Sequence, residues 1–300
     1  MNQICFEFCT TKRKNKVPIS RLETIFVFTS FLLLFSFSAN SQLLWKISGN
    51  GLKQSSYLFG THHLIPVQFL DSVQNIYTVF EKSNAVVSEV VLNDSDITAK
   101  VQKAALLPDS LTMENLLSQD DFEFVDREMM STLQMSLMNL NKLRPSMIQN
   151  IYELQLYREF FRMNETTQSD TFFQQLAVKR KIPVKGLETI EQQIEILFPK
   201  KDINGLKDEA NDLVQSIRNK VELIQEYERM NNLYRKGDLD GLEKLNDEMN
   251  KKWNVSAEEN ANLIDKRNEN WMKRLPDLLI THSCFIAVGA LHLPGEYGLL

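Results

Sequence analysis

Four histidines carry the chemistry that can be read first: His62, His63, His282 and His292, with none at positions 64–281. Imidazole is an acid, a base and a metal ligand near neutral pH. Two of the four sit in near-copies of one pattern. Phe59-Gly60-Thr61-His62-His63-Leu64-Ile65-Pro66 and Val288-Gly289-Ala290-Leu291-His292-Leu293-Pro294 each pass from an apolar stretch through Gly-x-x-His to aliphatic residues and a proline. Gly60 and Gly289 are read as structural positions, where the backbone turns or approaches another group closely. His63 and His292 then fall just past the end of a strand, the edge at which open α/β sheets bind ligands. If the two strands are neighbours, both imidazoles reach one cleft from opposite ends of the sequence. One Gly-x-x-His occurs by chance; two in the same context point to function. His62 is expected in a supporting or surface role, and His282, ahead of its strand, as a solvated turn residue.

Glu89 lies within the apolar run AVVSEVVL, residues 85–92. A carboxylate there is costly unless it is paired, metal-bound or at a sheet end. Two histidines and one carboxylate form the ligand set of many hydrolytic zinc sites with an open water position, although the spacing is not that of an HExxH helix. The bland alternative is a strand-end carboxylate paired with Lys or Arg.

The elements that must position these residues follow from periodicity. Residues 43–47 and 56–60 read as strands joined by a Ser-Gly-Asn-Gly turn, 69–83 as a helix and 85–92 as a strand. Residues 110–161 read as helical and rich in methionine (Met129, Met130, Met135, Met138 and Met147), either core filler or an adaptable peptide-binding lid, with core the favoured reading. Helices are expected over 172–181 and 189–198 with a short strand at 182–186 between them. Long amphipathic helices follow over 203–236, 239–249 and 257–279, then a buried strand at 284–288. The expected fold is α/β (α+β): a mixed β-sheet core built by the N- and C-terminal segments, with a large helical insertion over about 100–280.

The chain has 300 residues, 43% of them hydrophobic, and a formal charge of −5 from 34 basic and 39 acidic side chains. That balance does not favour a nucleic-acid partner. The first 41 residues read as a signal peptide: a basic region (Lys12, Arg13, Lys14, Lys16, Arg21), the apolar run 25–37, and small residues before a cut at Gln42. The expected location is therefore exported: periplasmic, cell-surface or secreted. Membrane association is expected only through an uncleaved signal. The mature chain, 42–300, forms one domain and retains a single cysteine, Cys284, read as a buried apolar residue.

These residues resemble the TraB/GumN family, which includes Tiki-type metalloproteases and is distantly related to erythromycin-esterase and ChaN-like haem-binding proteins. YLFGTHHL resembles the family's first Gly-x-x-His motif and VVSEVVL its acidic strand. VKGLETIEQQI, residues 184–194, resembles its Gly-Leu-Glu-Thr-x-Glu-x-Gln segment, RNENW, residues 267–271, its Arg-Asn motif, and AVGALHLPGEYGLL its second Gly-x-x-His. The resemblance runs over roughly 43–300 and implies an α/β core with a helical insertion and a cleft built from the two motifs. The chain stops at Leu300, where the family's final helix and strand would follow, so the C-terminal end of the domain is expected to be truncated.

The resulting expectation is an exported metal-dependent hydrolase acting on peptide bonds of a peptide or protein substrate. His63, His292 and Glu89 would bind a divalent ion (Mn, Co or Zn) that activates water. Glu89, Glu188 and Arg267 are the catalytic candidates: Arg267 for oxyanion stabilisation or carboxylate orientation, and Glu188, just after Gly186-Leu187, as a second carboxylate. Their bland readings are a surface helix arginine and a helix N-terminal charge. Asn268 and Trp271 are expected as packing or hydrogen-bonding supports. The alternatives are a non-catalytic peptide- or haem-sequestering protein, distinguished by capture without products, and a family member with only a structural role.

Overall fold

A six-stranded mixed sheet organises the protein. Five of its strands come from residues 44–289. The computed structural model describes residues 5–7, 43–92, 96–163 and 168–300. The strands are β1 (Cys5–Glu7), β2 (Leu44–Ser48), β3 (Ser56–Thr61), β4 (Ala85–Ser88), β5 (Val184–Gly186) and β6 (Cys284–Gly289). Their spatial order is β1-β2-β3-β6-β4-β5. β1 and β2 pair antiparallel, as do β2 and β3, while β3, β6, β4 and β5 are mutually parallel. β1 falls within the stretch read as an export signal; the apolar run and the cleavage position of that signal lie outside the described residues. Among the described residues no helix is long and apolar enough to cross a membrane.

The two Gly-x-x-His strands are immediate neighbours. Phe59 pairs with Ala287, Gly60 with Val288 and Thr61 with Gly289. β6 is apolar over its first five residues and buried along them, as a central parallel strand flanked on both sides must be. Gly60 serves close approach: a Cβ there would stand 3.1 Å from the backbone of Ala290 and 3.2 Å from Leu293. Tyr234 seals the same point by donating its hydroxyl to the Gly60 carbonyl at 2.9 Å.

Twelve α-helices fill the rest of the described chain. α1 is Ile76–Lys82. The helix expected over 69–83 is broken, because Asn75 takes a left-handed conformation between a 3-10 turn at Val67–Ser72 and α1. The strand expected over 85–92 ends at Ser88, which places Glu89 just past the strand rather than within it. The helical stretch 110–161 divides into α3 (Met113–Leu116), α4 (Gln119–Leu133), a 3-10 turn and α5 (Pro145–Phe160), which begins on proline at a helix-compatible first position. α2 (Ile97–Ala104) precedes them, and α6 (Ser169–Arg180) and α7 (Ile190–Leu197) flank β5. The helix expected over 203–236 splits at Asn219 into α8 (Ile203–Arg218) and α9 (Lys220–Lys236). α10 (Leu239–Lys252) follows, then α11 (Ala257–Leu263) and α12 (Asp265–Thr281), which meet at Ile264.

The buried apolar residues form two clusters. One lies on the sheet and includes Phe59, Phe80, Phe173, Phe285 and Trp271. The other lies inside the insertion between α3, α4, α5 and α8 and includes Met113, Val125, Met129, Ile148 and Leu213. Of the methionine stripe, Met129 is core, while Met130, Met135 and Met138 are exposed. Cys284 is buried in β6, and burial pushes its thiol pKa up to about 11, as for an inert apolar position.

α6 is seated by Phe173, whose ring lies 4.5 Å from that of Phe285, 5.9 Å from Phe59 and 5.3 Å from Phe80. Phe173→Ala is expected to lower the unfolding free energy by about 3–5 kcal/mol, measured by chemical denaturation. A change near zero would show that α6 does not hold the sheet face.

Candidate functional site

The carboxyl edge of the sheet gathers side chains from four segments of the chain. Glu89 follows β4, Glu188 lies between β5 and α7, Arg267 is on the first turn of α12, and His292 ends a 3-10 turn after β6. Each is placed by local structure. The short parallel pair β4–β5 brings Glu89 and Glu188 together, and Glu188 N–H donates to the Glu89 carbonyl at 2.9 Å. A Cβ at Gly186 would stand 2.9 Å from the Glu188 carbonyl oxygen, so this turn needs glycine. Thr189 then caps α7 with a reciprocal Gln192 contact.

Arg267 is the centre of the cluster. Its Nε donates to Glu188 at 3.1 and 3.2 Å, and Nη2 donates to Glu188 Oε1 at 2.6 Å and to Glu89 Oε2. Nη1 donates to the Leu263 carbonyl at 3.1 Å and stands 3.1 Å from His292 Nε2. Guanidinium has five N–H groups, so every one of them is engaged. Trp271, one turn further along α12, lies beneath the guanidinium at 4.8 Å and donates its indole N–H to Glu188 at 3.2 Å. Gln193 bridges the two carboxylates, at 3.2 Å from Glu188 and 3.4 Å from Glu89.

The tautomer of His292 follows from its neighbours. Asn268 uses its amide nitrogen on two carbonyls, those of His292 at 3.0 Å and Tyr297 at 2.8 Å. Its oxygen is therefore the atom facing His292 Nδ1, at 2.8 Å, and Nδ1 carries the proton. Nε2 is left with its lone pair, toward Arg267. Burial lowers the His292 pKa, with Arg267 and His63 acting in the same direction and Glu89 opposing, to about 4. His292 is thus neutral at pH 7. Burial works to raise the Glu89 pKa, but His292 when protonated, Arg267 and the Gly289 N–H prevail and hold it below the usual carboxylate value. Gly289 N–H donates to Glu89 Oε1 at 2.8 Å.

Of the sequence candidates, Glu89, Glu188, Arg267 and His292 come together, with Gly289 bonded to Glu89 and Gly60 packed behind. His63 is exposed past the end of β3. His62 turns elsewhere: its Nδ1 accepts the Leu64 N–H at 3.0 Å, its ring packs on Tyr234, and burial lowers its pKa to about 3. His282 caps the end of α12 beside Thr281. Asn268 and Trp271 are the supports expected of them. Gln193 was not singled out from the sequence; its one available signal is its place five residues after Glu188, in the same motif.

The expected ligand set for a divalent ion is His63, His292 and Glu89. Among the described residues no three His, Cys, Asp or Glu side chains converge so as to hold a metal. His292 Nε2 and Glu89 Oε1 stand 3.9 Å apart, and Arg267 occupies both partners. An ion ligated by Nε2 would have to displace a positive guanidinium from two carboxylates. The residues as arranged fit a guanidinium and do not fit a divalent ion.

The lowered pKa of His292 links the site to stability. Between pH 4 and 6.5 the unfolded chain protonates this imidazole and the folded chain does not, so stability falls as pH drops through that window. His62 and Glu89 act with the same sign. His292 alone contributes up to about 3 kcal/mol. Urea midpoints measured from pH 7.5 to 4.5 are expected to decline, and His292→Gln to flatten the curve. A wild-type midpoint independent of pH over that range would contradict the buried neutral imidazole.

No curated protein and no solved structure shows significant similarity to the chain. A model of the TraB/PrgY/gumN family matches residues 43–300, and all four clustered side chains fall inside that match. The chain belongs to the TraB/PrgY/gumN family.

Proposed function

We propose that this protein is an exported hydrolase that adds water to the carbonyl of a peptide or ester, with Glu89 as the base. The observation that carries the reading is the accessibility of an ionised carboxylate at the sheet's ligand-binding edge. The Glu89 side chain is 15% exposed, against 10% for Arg267, 6% for Glu188 and 4% for His292. Its Oε1 accepts a hydrogen bond from Gly289 N–H and has lone-pair capacity left to orient a water.

Glu89 takes one proton from the water as its oxygen adds to the carbonyl carbon. The developing oxyanion needs donors, and every Arg267 N–H is already used. The Nη1–H facing His292 is the one most readily turned to substrate, because a neutral nitrogen holds it less strongly than a carboxylate does. When the C–N or C–O bond breaks, protonated Glu89 returns its proton to the leaving atom. Glu188, Gln193 and Trp271 hold the guanidinium in plane. Export rests on the basic and apolar character of residues 12–37. A second reading, capture of a peptide without turnover, is favoured by the full engagement of Arg267, which leaves it no free donor.

A mixed peptide pool and p-nitrophenyl acetate, incubated with the purified protein and followed by mass spectrometry and absorbance, test both readings. Cleavage is expected. Glu89→Gln should lower kcat by about 100-fold or more, and a chelator should leave the rate unchanged. Capture without products would establish the second reading, and a rate abolished by chelator would replace the base mechanism with a metal-assisted one.

A further inference from the structure

A cavity of about 210 Å³ opens between α10, the junction of α11 and α12, and the segment that follows β6. Four of its eleven lining residues are carboxylates, Glu243, Asp247, Asp265 and Glu296, and none is basic. Elsewhere the carboxylates withdrawn from water bring their own partners. Glu89 and Glu188 have Arg267, Glu128 has Lys220, Glu209 has Arg144, Glu226 has Lys252, and Glu153 takes the hydroxyls of Ser216 and Tyr227. Among the described residues none of the four at the cavity makes an ion pair or a side-chain hydrogen bond, although Glu243 and Asp265 are half-buried.

The lysines nearest in sequence do not fill this role. Lys266 is turned to Asn262, at 2.7 Å, and Lys244 and Lys251 act on Glu248. Asp265 lies in the first turn of α12, where the helix favours a negative charge. Burial outweighs that help, and with Glu269 and Glu296 raises its pKa above the ordinary value. Glu243 is held by close approach. Gly295 has a left-handed φ of +92°, and a Cβ there would stand 2.6 Å from Glu243 Oε1. Glycine thus makes room for an unpaired carboxylate in the cavity wall.

The lining also decides which cation fits. Among the described residues no three carboxylates or imidazoles converge so as to hold a metal, so a bare ion finds no ligand set here. The charges are instead spread around a space with Ile264, Leu291 and Pro294 in its walls. Apolar walls suit a methylene stem whose charged head stays among polar groups. Tyr297 adds an aromatic ring, which attracts cations. Asn246 spends its amide nitrogen on Asn260 at 3.2 Å and so keeps its oxygen as an acceptor.

We propose that this cavity binds an organic cation, a primary ammonium or guanidinium carried on a short methylene chain. The same head and stem occur on a lysine or arginine of a peptide and on a free diamine. The cavity shares the start of α12 and the segment after β6 with the Arg267 cluster, yet the proposal stands whether or not that cluster hydrolyses anything.

Calorimetric titration of the full chain with Nα-acetyl-lysine methylamide, its norleucine analogue and cadaverine tests this. The lysine compound is expected to bind about tenfold or more tightly than the norleucine compound, with an affinity that falls as salt rises. Asp265→Asn and Glu296→Gln should each weaken it by about tenfold and leave the melting temperature unchanged or higher, since each removes one of several like charges. Glu243→Gln, on α10, gives a second reading should Asp265→Asn disturb α12. Equal affinity for lysine and norleucine, or unchanged binding in all three variants, overturns the site. Tighter binding of the blocked lysine than of cadaverine assigns the cavity to a peptide side chain, and the reverse order assigns it to a free diamine. Binding by a protein that cleaves no peptide keeps this site and removes the hydrolase.

Discussion

One guanidinium holds the carboxyl edge of this protein together. Arg267 joins the end of β4 through Glu89, the β5–α7 turn through Glu188, the end of α11 through the Leu263 carbonyl and the segment after β6 through His292. Two carboxylates this little exposed are tolerable only with a paired cation, and removing one member of such a group costs far more than the group contributes as a whole. The planar fork explains why the residue is arginine. Lysine carries the same charge but cannot reach Nε, Nη1 and Nη2 partners at once.

The helical insertion acquires a purpose from this. β3 and β6 are neighbours in the sheet yet lie more than two hundred positions apart, and the chain between them returns α12 beside β6. α12 then supplies Arg267, Asn268 and Trp271 from consecutive turns. The insertion has its own buried cluster and a buried Arg144–Glu209 ion pair, so its helices do not depend on the sheet for all of their apolar contacts. Asn268 extends the order into the terminal segment. By holding two carbonyls it fixes its own amide, then the imidazole tautomer, then the direction of the Nε2 lone pair.

Family membership and site geometry bear on function differently. The family match covers both Gly-x-x-His segments and the segments that carry Glu188 and Arg267. The geometry separates the two histidines. His292 is buried, neutral and bonded, while His63 stands exposed at the rim. The symmetry of the two motifs in sequence is therefore not a symmetry of roles. The N–H groups of Arg267 are all taken, and the acceptor capacity left over lies on the Glu89 carboxylate.

The sequence by itself determined the strands at both ends, their glycine stops, the helical character of the middle and the identities of Glu89, Glu188, Arg267 and His292 as candidates. Glu188 and Arg267 came from the family resemblance; the rest come from short-range signals: apolar runs, 3.6-residue spacing, glycine after a strand, and a charged residue where one is costly. It misjudged what depends on long-range partners. Glu89 closes β4 with its carboxylate bonded to Gly289 and Arg267 across the edge, the strand-end alternative that the costly carboxylate left open, but the partners that settle it lie far away in sequence. The long helices break at Asn219 and Ile264 because packing, not periodicity, sets their directions. An equivalent ligand role for His63 and His292 was a reading of pattern; tertiary structure gave the central place to Arg267, because a guanidinium satisfies two converging carboxylates and a neutral imidazole at the same time.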